Sequence, residues 1–322
     1  MDLKSISAWE VYGGFRMEYK VVKLPIKDEY EPMVLCIGNF DGVHLGHKKL
    51  IEKTLELSKK HGIKSAFFTL NPNPRKVFNK DRIFQLTSID DRKEITSNFG
   101  INSFLEFEFN NEFMNLTPSE FIETVLLKLN VKHVVCGFDY TFGKKGAGKV
   151  EDLIILSEGR YEVHVVDEVV IDDEKVSTTR IMKELTSGSL EEANKLLGRN
   201  YSVTGVVQKG LGNGHKIGFP TANIETFDYL LPKNGVYAVK VEFEGKNYYG
   251  MANVGLHPTI SKLKKPLLEV HLFEFEGNLY EKGLKIEFLA FLREEIEFSG
   301  LEDLKTRIKL DTFLIFELIS RA

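Results

Sequence analysis

Residues 33–47 read Met33-Val34-Leu35-Cys36-Ile37-Gly38-Asn39-Phe40-Asp41-Gly42-Val43-His44-Leu45-Gly46-His47: five apolar residues, a glycine-punctuated turn and two histidines three apart. A buried strand that runs into a Gly-rich turn and then a helix builds an anion site, because backbone N–H groups and the positive helix end converge there. The residues that follow supply the helix. Leu50, Ile51, Leu55 and Leu57 hold an apolar pattern, and Lys59-Lys60-His61-Gly62 gives a basic last turn and a terminating glycine. Imidazoles at such a helix start can donate to phosphate oxygens as charge develops on them. Gly38, Phe40, Asp41, Gly42 and Gly46 are therefore candidates for holding a nucleotide phosphate, and His44 and His47 for catalysis. Zinc is not expected on this pair, since the H-E-x-x-H spacing and a nearby third ligand are missing.

Working outward, apolar runs at 65–70, 103–109, 133–136 and 161–170 alternate with helical patterns, which predicts a parallel sheet with helices on both faces. Thr117-Pro118-Ser119-Glu120 carries an N-cap, a first-turn proline and a capping-box glutamate, with Phe121, Ile122, Val125, Leu126 and Leu129 as the apolar stripe behind it. Ser189 with Glu192 predicts another capping box, on a helix ending at Gly198. Beyond it the pattern changes. Segments 201–208, 236–243, 248–253, 267–275 and 284–291 are β-branched or aromatic and separated by turn residues, as in a small antiparallel barrel. Leu301, Leu304, Ile308, Phe313 and Phe316 or Leu318 then restore helical spacing for one closing helix. The string Thr186-Ser187-Gly188-Ser189 sets the expected boundary, giving domains 1–186 and 187–322. Residues 1–16 show little pattern.

At 322 residues and 43% hydrophobic, the chain can bury a core in each domain. A net charge of −4, with both signs interspersed, offers no footprint for nucleic acid. No apolar run approaches the roughly 20 residues that span a bilayer, and the first residues hold no apolar leader segment, so no membrane partner is expected. Cys36 and Cys136 each end an apolar run, as buried thiols of a cytoplasmic protein would.

The string from Gly38 to His47 resembles the G-x-F-D-G-x-H-x-G-H element of nucleotidyltransferases, and in detail that of the bacterial bifunctional riboflavin kinase/FAD synthetases. The resemblance implies histidines that contact the phosphates of ATP and stabilise the transition state as pyrophosphate leaves. Val134-Val135-Cys136-Gly137-Phe138-Asp139-Tyr140-Thr141-Phe142-Gly143 resembles the same family's strand and turn, placing Asp139 against the nucleotide. Ser177-Thr178-Thr179-Arg180 resembles its hydroxyl-rich phosphate element, with Met182 where the family carries arginine and Arg180 two places earlier. Asn71 and Asn73 stand where an aspartate and a histidine are usual, which would leave adenylyl transfer slower, altered or lost.

The second half carries its own resemblance. Gly210-Leu211-Gly212-Asn213-Gly214-His215-Lys216-Ile217-Gly218-Phe219-Pro220-Thr221-Ala222-Asn223 lacks the Walker pattern and resembles the riboflavin kinase motif G-x-x-x-G-x-P-T-A-N. Its Gly210, Gly212, Gly214, Lys216 and Gly218 would cradle phosphate, while Thr221 and Asn223 present oxygens suited to Mg2+. In Leu268-Glu269-Val270-His271-Leu272, alternation turns the apolar residues to the core and Glu269 to the other face, where the resemblance makes it the general base. Asn253 and Arg293 are weaker flavin-site candidates. The family implies riboflavin, FMN and FAD as substrates and products, with ATP as co-substrate. A non-catalytic flavin or nucleotide sensor is the distant alternative, disfavoured because a binder needs neither a base nor transition-state donors.

Overall fold

The computed structural model describes residues 7–12, 15–78, 84–209, 218–255 and 266–321. The chain divides into two compact units, Met1–Ser177 and Thr178–Ala322.

The first unit is built on seven strands: β1 (Ser7–Tyr12), β2 (Phe15–Val22), β3 (Met33–Ile37), β4 (Lys64–Asn71), β5 (Ser103–Glu108), β6 (Val131–Gly137) and β7 (Glu162–Val166), in spatial order β1-β2-β5-β4-β3-β6-β7. All neighbours are parallel except the β1–β2 hairpin at one edge. That hairpin falls on residues whose sequence showed no strand pattern. Helices α1 (Leu45–His61), α2 (Pro74–Phe78), α3 (Ile89–Asn98), α4 (Asn111–Met114), α5 (Pro118–Phe121, continuing as a π-turn over Ile122–Leu126) and α6 (Val150–Ile155) complete the layers. Central β3 is buried along its whole length because both faces are covered. Leu35 and Ile37 point into one core with Phe68, Phe107 and Phe121, while Val34 and Cys36 point into another with Phe40, Phe67 and Phe104. The expected strand 161–170 stops at Val166; a short hairpin, β8 (Val170–Ile171) and β9 (Glu174–Lys175), follows.

The second unit begins with α7 (Thr178–Ser187) and α8 (Leu190–Leu197). Strands β10 (Ser202–Gln208), β11 (Ala222–Glu225), β12 (Gly235–Phe243), β13 (Lys246–Gly255), β14 (Leu267–Leu272) and β15 (Gly283–Arg293) then close a barrel in the order β10-β11-β14-β13-β12-β15, antiparallel throughout. Helix α9 (Leu301–Ser320) follows the last strand. Strand β11 was not expected from sequence, where Pro-Thr-x-Asn reads as a corner.

Two local expectations are corrected. Ser189 stands at the N-cap of α8 without a side-chain capping bond: its hydroxyl lies 3.2 Å from that of Ser187 and its N–H donates to the Glu184 carbonyl at 2.9 Å, while the Glu192 carboxylate meets Arg180 at 3.0 Å and Lys195 at 3.5 Å. In α9 the buried residues are Ile308, Asp311 and Ile315, whereas Leu301 and Phe313 of the expected stripe are 62% and 60% exposed. The cause is an ion pair. Arg293 Nε and a terminal guanidinium nitrogen lie 2.9 and 2.7 Å from Asp311 Oδ2, and Arg307 Nε stands 2.9 Å from Oδ1 as a charge contact without hydrogen-bond alignment.

Candidate active sites

In the first unit the turn leaving β3 is held by its own side chains. Phe40 adopts φ 50° and is fully buried, with its ring 4.1 Å from Phe67 and edge-on to His47 at 5.1 Å. Buried Asp41 accepts through Oδ1 from the backbone N–H of Leu86 at 2.9 Å and of Thr87 at 3.0 Å, and from the Thr87 hydroxyl at 3.3 Å. Burial pushes its carboxyl above the ordinary value; Arg92 and these donors offset part of that rise. Gly42, at φ 87°, donates its N–H to Thr87 Oγ1 at 2.8 Å. Phe40 and Asp41 thus fix the turn from beneath.

His44 is the N-cap of α1, and its Nδ1 accepts from the backbone N–H of His47 at 3.4 Å. That bond leaves the neutral ring's proton on Nε2. The two imidazoles stack with centroids 3.7 Å apart and planes 17° from parallel. A side chain at Gly46 would bring a Cβ within 3.1 Å of the His44 ring, so glycine there is what lets the ring lie over the helix start. The first turn of α1 holds no acidic residue to compete for its N–H groups. The carbonyl of Val176 lies 3.8 Å from the same virtual Cβ, which brings Ser177 beside the turn.

Asp139, just past β6, pairs with Lys175 at 2.5 Å, and the Lys175 ammonium also stands 4.4 Å over the Phe138 ring. Lys175 was not singled out from sequence, although it lies two residues before Ser177. Asn71 donates to Glu106 Oε1 at 2.7 Å, and Tyr19 donates its hydroxyl to Oε2 at 2.6 Å. A carboxylate therefore stands beside position 71, supplied by the neighbouring strand β5. Asn73 is buried and accepts from the backbone N–H of Arg75 at 3.0 Å.

Thr178, Thr179 and Arg180 fall in the second unit, at the start of α7. Arg180 is buried there against Glu192.

In the barrel, strand register does the positioning. Asn223 on β11 is opposite Glu269 on β14, which is opposite Asn253 on β13. Directly opposed residues share one face, with Cβ atoms about 4.5–5.5 Å apart, so the three form a row across three strands. Their neighbours Ile224, Leu268, Val270, Ala252 and Val254 are buried, and Glu269 lies on the other, half-exposed face, as the alternation predicted. His271 contacts the Pro220 carbonyl through Nδ1 at 2.7 Å, which ties the end of β14 to the segment carrying Thr221. Asn253 donates to Glu295 Oε1 at 3.2 Å, a second carboxylate that sequence reading passed over. Arg293 is engaged by Asp311, as described above. Gly218 and Thr221 are exposed in the strand approach; Gly210, Gly212, Gly214 and Lys216 lie outside the described residues, as do 256–265.

A doubly covered parallel sheet with paired histidines at a helix start, joined in one chain to a barrel with a carboxylate beside two amides, defines a two-module transferase acting on phosphates. Residues 26–180 match the family model described as FAD synthetase, and residues 197–316 the one described as riboflavin kinase. A bifunctional riboflavin kinase/FMN adenylyltransferase of Listeria monocytogenes is 39% identical over 86% of this chain and 90% of its own. Those of Bacillus subtilis and Escherichia coli K12 are 36% and 32% identical over 89% and 87% of this chain, and 92% and 91% of theirs. A solved structure named as a macrolide-efflux protein from Streptococcus pneumoniae superposes with TM-score 0.83 at 28% identity, covering 92% of this chain and 98% of that one. The chain belongs to the bifunctional riboflavin kinase/FMN adenylyltransferase family.

Proposed function

We propose that residues 187–322 phosphorylate riboflavin with ATP and that residues 1–186 transfer AMP from a second ATP to the FMN formed, giving FAD and pyrophosphate. The observation that carries the kinase half is the row Asn223–Glu269–Asn253. Glu269 takes the proton of the ribityl 5′-hydroxyl while its oxygen attacks the γ-phosphorus and ADP leaves. A positioned carboxylate suffices, because phosphoryl transfer depends mainly on alignment and charge neutralisation. The donors of Asn223 and Thr221 are hard oxygens that fit Mg2+ and would hold it; when bound, it neutralises phosphate charge.

In the first unit an FMN phosphate oxygen attacks the α-phosphorus of ATP. His44, through Nε2, and His47 donate to the oxygens on which charge accumulates, and the N–H groups of the turn hold the chain of phosphates. Glu106 and Lys175 add a carboxylate and a cation at the same end of the sheet. Buried, free Cys36 and Cys136 accord with a cytoplasmic site of action. Among the described residues no helix is long and apolar enough to cross a membrane.

The test is to incubate the purified chain with riboflavin, ATP and magnesium, and to separate FMN from FAD. Both products are expected. Glu269→Gln should lower FMN formation by about 10²–10⁴ fold, the share of a general base, while supplied FMN is still converted to FAD. Loss of both activities in that variant would overturn the two-site assignment.

A further inference from the structure

Near the N-terminal ends of β6 and β7, the ends opposite the turn, His133 is in register with Glu162, and Val135 with His164. His133 Nδ1 lies 3.2 Å from His164 Nε2 and 3.5 Å from Glu162 Oε2, and that oxygen lies 3.6 Å from His164 Nε2. A triangle with these sides has a point about 2.0 Å from every corner, and zinc bonds to imidazole and carboxylate measure about 2.0–2.2 Å. An ion just off that plane meets three donors at tetrahedral spacing. Among the described residues this is the one group of three such side chains with all donor atoms within 4.8 Å of one another. A third imidazole stands beside them: His61, in the last turn of α1, with its ring 4.2 Å from that of His133.

We propose that His133, Glu162 and His164 form a zinc site that clamps β7 to β6, at the end of the sheet opposite the turn that follows β3. Two imidazoles with one carboxylate suit Zn2+ and its transition-metal neighbours, whereas Mg2+ and Ca2+ prefer all-oxygen sets. Burial holds both imidazoles below their ordinary value, so they are neutral and fit to ligate at pH 7. The ammonium groups of Lys53 and Lys60 act on the same histidines and oppose a cation, which sets the affinity below that of an all-cysteine site. The site leaves one coordination position to water.

The test uses the full chain, stripped with a chelator and titrated with Co2+. One equivalent per chain should bind with the intense visible bands of tetrahedral Co2+, Zn2+ should displace it, and Zn2+ should raise the melting temperature. Glu162→Gln, a change at an exposed side chain, and His164→Asn should each weaken binding by about tenfold or more. The double variant His44→Asn/His47→Asn should bind Co2+ as the parent does. Absence of one-equivalent binding, tetrahedral bands that survive in both Glu162→Gln and His164→Asn, or bands lost in the His44/His47 variant would each overturn the proposal.

Discussion

His44 both caps α1 and presents an imidazole, and the two roles can be separated. Asparagine at the same position keeps an oxygen for the His47 N–H, as good N-caps do, but has no ring nitrogen for phosphate. His44→Asn should therefore leave the melting temperature close to the parent's while FAD formation from supplied FMN falls about 10²–10³ fold; FMN formation from riboflavin should not change. Equal losses in both reactions would show that the residue acts through stability alone. The two thiols give a second prediction at this scale. Cys36 and Cys136 are fully buried, and burial pushes both up to about 12. Neither carries meaningful thiolate at pH 8, so iodoacetamide should label neither in the native chain and both in urea, as read by mass spectrometry. Asp41 acts on the turn through the backbone it holds. Asp41→Ala would strand the Leu86 and Thr87 donors at about 1–3 kcal/mol each and release the turn.

Among the elements, α9 buries a carboxylate between two apolar side chains, Ile308 and Ile315. Its inner face centres on Asp311, held between Arg293 and Arg307. Removing the acid leaves two guanidinium groups without their counter-charge, so Asp311→Ala should cost about 3–5 kcal/mol, measured as a lower urea midpoint with an unchanged slope. Phe313→Ser, on the exposed face, should fall within about 0.5 kcal/mol of the parent. This contrast explains what could be read in advance. Strands β3 to β6 announce themselves through apolar runs bounded by turn residues, and Thr117-Pro118-Ser119-Glu120 forms its capping box as expected, Glu120 Oε2 accepting from the Thr117 N–H at 2.8 Å. Ser189 and Glu192 carry the same signature, yet Arg180 claims the carboxylate from outside the motif. The α9 face was misread for a similar reason: apolar spacing cannot reveal that a buried acid orients the helix. Strand β11 has four residues and no apolar run, so only its pairing with β10 and β14 defines it. The row Asn223–Glu269–Asn253 was likewise readable only residue by residue; its alignment depends on strand register that motifs do not encode.

For the whole molecule, the division at Ser177 and Thr178 puts α7 with the barrel. Ile181 and Leu185 of α7 are fully buried, Arg180 pairs with Glu192, and Lys233 donates its backbone N–H to the Leu185 carbonyl at 2.9 Å. A fragment 178–322 should accordingly be more stable than 187–322 by at least about 3 kcal/mol from the two apolar side chains alone, or roughly 6 °C or more in melting temperature. Equal melting temperatures would place the working boundary at 187 instead. Barrel closure has a consequence during synthesis. β10 pairs with β15, so residues 202–206 wait for partners at 283–287. At about 5–20 residues per second a ribosome takes several seconds to deliver them. In that interval the nascent barrel is an open sheet with unsatisfied edges, and it is there, rather than in the finished enzyme, that holdase chaperones and neighbouring chains would meet it.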